Sequence, residues 1–228
     1  MRVLLGELAP ERGELEANLG RLEAIVRGAP ADLAVFPELF LSGYALGDRL
    51  RTLAVRRGDA TCERLRRLAR DRSTTVVVGA PMTSESRAGE LENVALVVGP
   101  DGELHVVSKR FLPTFGPFEE GLLFTPSNAS APVSVGGRRL GVEICYDVFF
   151  PEVARELAVG GAELLLNISA SPVTSRRLFE KLLPARAAEN GLPRLYVNRV
   201  GVEDGFVFAG GSGAWDAWSS RPSRRACG

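Results

Sequence analysis

An α/β fold is predicted by three features of the sequence. Short runs rich in Val, Ile and Leu alternate with longer segments of helical period. Glycine-bearing turns join some neighbouring runs directly, so the sheets are not purely parallel. The chain has 228 residues, 45% of them hydrophobic and 25% charged, enough to bury one sizeable core.

The elements follow in order. An apolar run predicts a strand over 2–9, a helical period covers 14–26, and a buried run predicts a strand over 32–37. A helix is expected over 60–71 and a strand over 74–80. Two alternating runs, 93–98 and 103–109, are joined by Pro100-Asp101-Gly102 as a hairpin. Gly136-Gly137, between Val133 and Leu140, marks a second hairpin, leading into a strand over 140–145. Beyond it come a helix over 153–159, a strand over 163–168, a helix over 175–189, and strands over 195–200 and 205–209. From Ser212 the apolar pattern is lost. A single domain over 1–216 is expected, with 217–228 as an unstructured tail.

Composition excludes several functions. Lys+Arg and Asp+Glu both count 28, so overall charge favours neither nucleic acid nor an anionic membrane, and a small neutral partner fits better. The apolar run at the N-terminus, Val3-Leu4-Leu5, is too short for a signal peptide or a membrane span, which predicts a cytoplasmic location. Cys62, Cys145 and Cys227 make no disulfide framework and no zinc spacing. His105, the single histidine, sits in an alternating segment as a half-exposed strand residue. Gly210-Gly211-Ser212-Gly213 lacks the Lys-Ser/Thr that a phosphate loop needs. Chemistry is therefore sought among carboxylates, lysine and cysteine.

Lysine occurs only at 109 and 181, the other 26 cationic residues being arginine. Arginine does not readily replace a compact ammonium point charge. Lys181, beside Glu180 in an amphipathic stretch, reads as solvated surface, so Lys109 is the notable one. In Leu140-Gly141-Val142-Glu143-Ile144-Cys145-Tyr146-Asp147 a strand ends on a cysteine and turns towards a helix, a setting that exposes a nucleophile on a rigid backbone. In Val35-Phe36-Pro37-Glu38 a buried strand ends in a carboxylate whose apolar neighbours suit a general base. Lys109 ends a hairpin strand and precedes a loop carrying Glu119 and Glu120. Cys62 recurs with Leu65, Leu68 and Ala69 as a core-facing helix residue, and Cys227 reads as an exposed thiol in the tail.

Together these segments resemble the nitrilase superfamily of carbon–nitrogen hydrolases, in which a Glu, a Lys and a Cys occur in that chain order at strand ends. Phe36 through Tyr44 is similar to the glutamate motif, Lys109 through Glu120 to the lysine motif and its loop, and Gly141 through Asp147 to the cysteine motif. Asn167-Ile168-Ser169-Ala170-Ser171-Pro172, Arg186 through Gly191, Tyr196 through Gly201 and Gly210-Gly211-Ser212 agree as well. The resemblance implies a four-layer α-β-β-α sandwich, a homodimer, and hydrolysis of an amide or nitrile without cofactor or metal. It implies Cys145 as nucleophile, Glu38 as base, Lys109 as the cation beside the oxyanion, the Tyr146 N–H as a further oxyanion donor, and Glu120 as the residue orienting substrate and lysine.

Tyr146 stands where Trp often accompanies nitrile hydrolysis in the family, which favours an amide. The leading expectation is cleavage of a small linear ω-amide or N-carbamoyl compound through a cysteine thioester, releasing ammonia or amine. Phe36 to Tyr44, Glu143 and the Ser-Ala-Ser-Pro segment also look like the glutaminase domains fused to NAD synthetases. A glutaminase-like subunit feeding a separate synthetase is thus one alternative, and a catalytically inactive binding relative is another. Family members usually continue past the Gly-Gly-Ser segment with an aspartate turn and a further strand. Here Trp215-Asp216-Ala217 begins that turn before the chain becomes Arg, Ser and Pro, so a truncation or frameshift near 213–218 is expected.

Overall fold

The computed structural model describes residues 1–218. Two five-stranded sheets lie at its centre. The first has the order β1 (Val3–Leu5), β2 (Leu33–Val35), β3 (Thr75–Thr83), β4 (Leu91–Val98) and β5 (Leu104–Ser108). Its first three strands are parallel, and β4 and β5 return as antiparallel hairpins. The second has the order β12 (Gly213–Trp215), β9 (Arg194–Asn198), β8 (Leu164–Ser169), β7 (Arg138–Ile144) and β6 (Val133–Val135), with β7, β8 and β9 parallel. A separate hairpin joins β10 (Val200–Glu203) to β11 (Phe206–Ala209).

The period-2 alternation of the strands builds the layers. In the first sheet Val76, Val78, Val94, Leu96 and Val98 face outward against α1 (Leu15–Gly28) and α3 (Ala60–Arg72), whose Leu19, Leu22, Leu65 and Leu68 are fully buried. Between them Val77, Ala95 and Val97 face inward, joining Leu140, Val142, Leu166 and Ile168 of the second sheet in one cluster. On the far side α5 (Pro151–Val159) packs Val153 and Leu157 on Leu165, and α6 (Arg176–Asn190) adds Phe179, Leu183 and Ala187. The α-β-β-α layering expected from the resemblance is present. Two short helices, α2 (Leu50–Leu53) and α4 (Glu120–Leu123), sit in loops.

Both predicted hairpins form. Gly102 takes φ +82° in the first, and Gly136 and Gly137 take +56° and +73° in the second, a pair of left-handed residues suited to a tight hairpin turn. Three expectations are corrected. The run 195–200 is not one strand: β9 stops at Asn198, and after the buried Arg199 the chain passes to the β10–β11 hairpin, with Gly201 at φ +99°. The strand predicted over 2–9 shortens to Val3–Leu5, because at Gly6 the chain presses on the Phe36 ring, where a Cβ would stand 2.6 Å from the ring. Finally, the pattern does not end at Ser212. Gly213–Trp215 pairs with β9, and Trp215 and Ala217 are buried, because tertiary contact rather than local alternation supplies their apolar partners. The rest of the expected tail, 219–228 with Cys227, lies outside the described residues.

Cys62 is buried against the first sheet and Lys181 is exposed, as their spacing predicts. Among the described residues no helix is long and apolar enough to cross a membrane.

Candidate active site

Glu38, Lys109 and Cys145 each stand just beyond the C-terminal end of a strand, after β2, β5 and β7. The first two extend the first sheet and the third extends the second, so packing the sheets face to face brings them together. Glu38 follows Pro37 and precedes Leu39, whose φ of +50° turns the chain sharply. That turn lies directly on β3: a Cβ at Gly79 would come within 2.3 Å of the Leu39 nitrogen and 2.5 Å of Glu38 Cα. Only glycine admits this close approach.

The Glu38 carboxylate is fully buried and bonded through both oxygens. Its Oε1 accepts hydrogen bonds from Lys109 Nζ at 2.6 Å and Asn93 Nδ2 at 2.8 Å, and its Oε2 accepts from the Ala170 N–H at 2.8 Å. Lys109 Nζ also donates to Glu120, 2.8 Å from Oε1 and 2.7 Å from Oε2, and the Tyr44 hydroxyl donates to Glu120 Oε1 at 2.6 Å. Glu120 is buried while Glu119 beside it is exposed, so the structure chooses between the two loop carboxylates.

Cys145 is 9% exposed, whereas Glu38 and Lys109 are 0% and 1% exposed. The thiol therefore lies at the edge of a cavity with the charges held behind it. Its backbone has φ +48°, a left-handed conformation uncommon for a residue with a side chain. The strained turn is braced on both sides. Asn167 Nδ2 donates to the Cys145 carbonyl at 3.2 Å. The Asp147 carboxylate accepts from the Ile144 N–H at 3.0 Å and from the N–H groups of Arg110 and Phe111 at 3.2 and 2.9 Å. Asp147 thus ties the cysteine turn to the residues that follow Lys109. Tyr146 is half-buried in the single turn of 3-10 helix that Cys145 begins.

The charges act on one another strongly. Burial by itself would lower the Lys109 pKa, but Glu120 and Glu38 overcome it and hold the ammonium charged. Burial raises Glu120, with Lys109 opposing. Burial and then Glu38 push the Cys145 thiol well above its ordinary range, with Lys109 partly offsetting them. The resting sulfur is consequently a thiol, and its attack on a carbonyl requires a base at the moment of reaction.

The cavity in front of Cys145 has a volume of about 100 Å³ and is walled by Phe115, Phe118, Tyr146, Phe149, Leu178 and Phe179 among others. Asn93, Tyr44, Asn167 and Asp147 are functional-site neighbours to which sequence reasoning assigned no role. A polar residue facing inward from an apolar strand was the available signal for Asn93; the others were visible only as parts of motifs.

Comparisons with known proteins bear on the family and the fold. The sequence profile of the carbon–nitrogen hydrolase family matches residues 5–222. The chain belongs to the carbon–nitrogen hydrolase family. A Pseudomonas protein named (R)-stereoselective amidase is 36% identical over 219 residues, spanning 95% of this chain and 77% of that protein. The glutamine-dependent NAD(+) synthetase of Thermotoga maritima is also 36% identical, over 95% of this hydrolase but only 38% of the synthetase. Among solved structures, a glutamate-to-glutamine variant of the amidase from Nesterenkonia sp. superposes with a TM-score of 0.83 at 33% identity, covering 97% of this chain and 84% of that one. It carries the acetamide moiety of fluoroacetamide added covalently at its active-site cysteine.

Proposed function

We propose that this carbon–nitrogen hydrolase cleaves a small amide through a Cys145 thioester. The observation that carries the reading is the placement of Cys145, on a strained turn and lining a cavity, before a buried cluster of Glu38, Lys109 and Glu120. Glu38 takes the thiol proton as sulfur bonds to the amide carbon, and the carbonyl π electrons move onto oxygen. Lys109 Nζ and the Tyr146 N–H stabilise that oxyanion. As the intermediate collapses, Glu38 returns the proton to the nitrogen and ammonia or amine leaves. A water molecule, deprotonated by Glu38, then attacks the thioester, and the carboxylic acid departs with the thiol restored. Glu120, bonded to Lys109 and Tyr44, keeps the ammonium aimed between base and substrate.

The Nesterenkonia amidase with acetamide on its cysteine supports this chemistry by likeness. A second reading, a glutaminase-like subunit supplying ammonia to a separate synthetase, draws on the identity with the Thermotoga enzyme. Incubation with a panel of small amides, followed by ammonia assay and intact-protein mass spectrometry, tests the proposal. Ammonia release and an acyl adduct, both absent in Cys145→Ala, are expected. A folded protein that gives neither, and whose Cys145 resists alkylation, would overturn it.

A further inference from the structure

We propose that the substrate is a neutral amide with a short apolar acyl group, and that amides carrying a carboxylate or an ammonium, glutamine included, are excluded. The inference rests on the Cys145 amidase reading and narrows it.

Three observations carry it. First, the cavity before Cys145 is walled largely by aromatic and aliphatic residues, and among the described residues none that lines it is charged; its polar lining residues are Ser171, Ser175, Tyr44 and Tyr146. An amide can be met by such groups, but the ammonium of Lys109 behind the thiol is already shared by Glu38 and Glu120, so an ionised group on the acyl chain would lose its water without gaining a free counter-ion. Second, the walls are cross-braced and cannot easily part. Phe115 packs edge-on to Phe118 at 5.5 Å, Tyr146 lies 4.9 Å from Phe149, and Phe149 meets Phe179 edge-on at 5.5 Å, all between ring centres. The volume of about 100 Å³ is smaller than the roughly 150 Å³ that accommodates benzene in a dry protein cavity, so only a few carbons fit beyond the amide. The mouth is apolar too, since Phe115 and Leu178 are 54% and 50% exposed there.

Third, the charged side chains of this region line a different cavity. Arg12, Glu119 and Asp204 border a space of about 520 Å³ that includes Tyr44 and Glu120 but not Cys145. Tyr44 borders both cavities. It is held in place by its hydroxyl on Glu120 and by its N–H, which donates to Glu203 Oε1 at 2.9 Å. Arg12 borders the larger cavity and is not among the residues that line the one before Cys145.

The test compares kcat/KM for butyramide with three charged probes: β-alaninamide, which replaces the terminal methyl by an ammonium, succinamate, and L-glutamine. Butyramide is expected to exceed each by on the order of 10²-fold or more. Hydrolysis of any charged probe within tenfold of butyramide would overturn the proposal.

A second measurement needs no turnover. The alkylation rates of Cys145 by neutral iodoacetamide and anionic iodoacetate are compared with the same ratio for glutathione. A preference for the neutral reagent about tenfold or more above that of glutathione supports the uncharged pocket even if no amide is hydrolysed, in which case only the amidase reading fails. A ratio equal to that of glutathione overturns the pocket assignment even if amides are hydrolysed. Leu178→Arg, at the half-exposed mouth, is expected to raise iodoacetate reactivity and succinamate turnover relative to the neutral probes; unchanged ratios would count against the apolar mouth as a selectivity element.

Discussion

Two of the buried charge clusters in this molecule differ in what they leave open. Glu143 and Arg194, both 0% exposed, form a closed pair across the second sheet, with both terminal guanidinium nitrogens 2.5 Å from Glu143 Oε2. Burial raises Glu143 and lowers Arg194, and the attraction between them opposes both shifts. Glu38, Lys109 and Glu120 form the other cluster, where two carboxylates share one ammonium and the group sits behind a partly exposed thiol. Buried charge by itself is therefore no mark of chemistry. The first pair neutralises its own charge, whereas the second cluster adjoins a thiol at a cavity.

The largest expected effect breaks the open cluster. Glu38→Gln keeps the shape and removes the base, so amide turnover should fall on the order of 10²–10⁴-fold with little change in melting temperature. A variant that loses activity only in proportion to unfolded protein would assign Glu38 a structural role. Breaking the closed pair should do the reverse. Arg194→Met strands a buried carboxylate and should cost about 3–5 kcal/mol in urea unfolding, with much of it recovered in Glu143→Leu/Arg194→Met. Equal instability of the double variant would show that the pair does more than neutralise itself.

A smaller effect sharpens the comparison within the open cluster. Glu120→Gln removes one charge from Lys109 while keeping a hydrogen-bonding side chain, and should reduce kcat/KM by about 10-fold or somewhat more, the scale of a charge-assisted hydrogen bond. Unchanged steady-state kinetics would remove Glu120 from the orienting role.

The smallest effect is on pH dependence. Burial pushes the Asp147 carboxyl up to about 7 from an ordinary 3.8, against Lys109 and the N–H groups that hold it. The folded chain then binds the proton more tightly than the unfolded chain does. This contribution to stability is fully present below about 3.8 and is lost as pH rises through about 7. Urea unfolding of wild type and Asp147→Asn between pH 4 and 7 should therefore show wild type losing stability relative to the variant as pH rises; a constant difference, or wild type gaining on the variant, would contradict the raised value.

The layers and the candidate site differ in how much could be read from residue order. The apolar runs at 74–80 and 93–98 made the first sheet and its hairpin legible, as were the glycines at 102, 136 and 137. Glu38, Lys109 and Cys145 were legible as strand ends within motifs, and Lys109 also by the scarcity of lysine. Gly79 was not, because its requirement comes from the Glu38 turn pressing on a distant strand. Nor was the strand Gly213–Trp215, since three residues carry too little periodicity to announce themselves without β9 alongside.

The sequence by itself determined the α/β class, the family resemblance and the set of chemical groups, because those depend on local periodicity and on residue type. Only the tertiary structure decided that Asn93 and the Ala170 N–H complete the hold on Glu38, that the Tyr44 hydroxyl meets Glu120, and that Tyr44 borders both an apolar and a charged cavity. These are contacts between residues as much as 132 positions apart, made when two sheets close face to face. No local pattern encodes such contacts, since each depends on where the partner's backbone arrives.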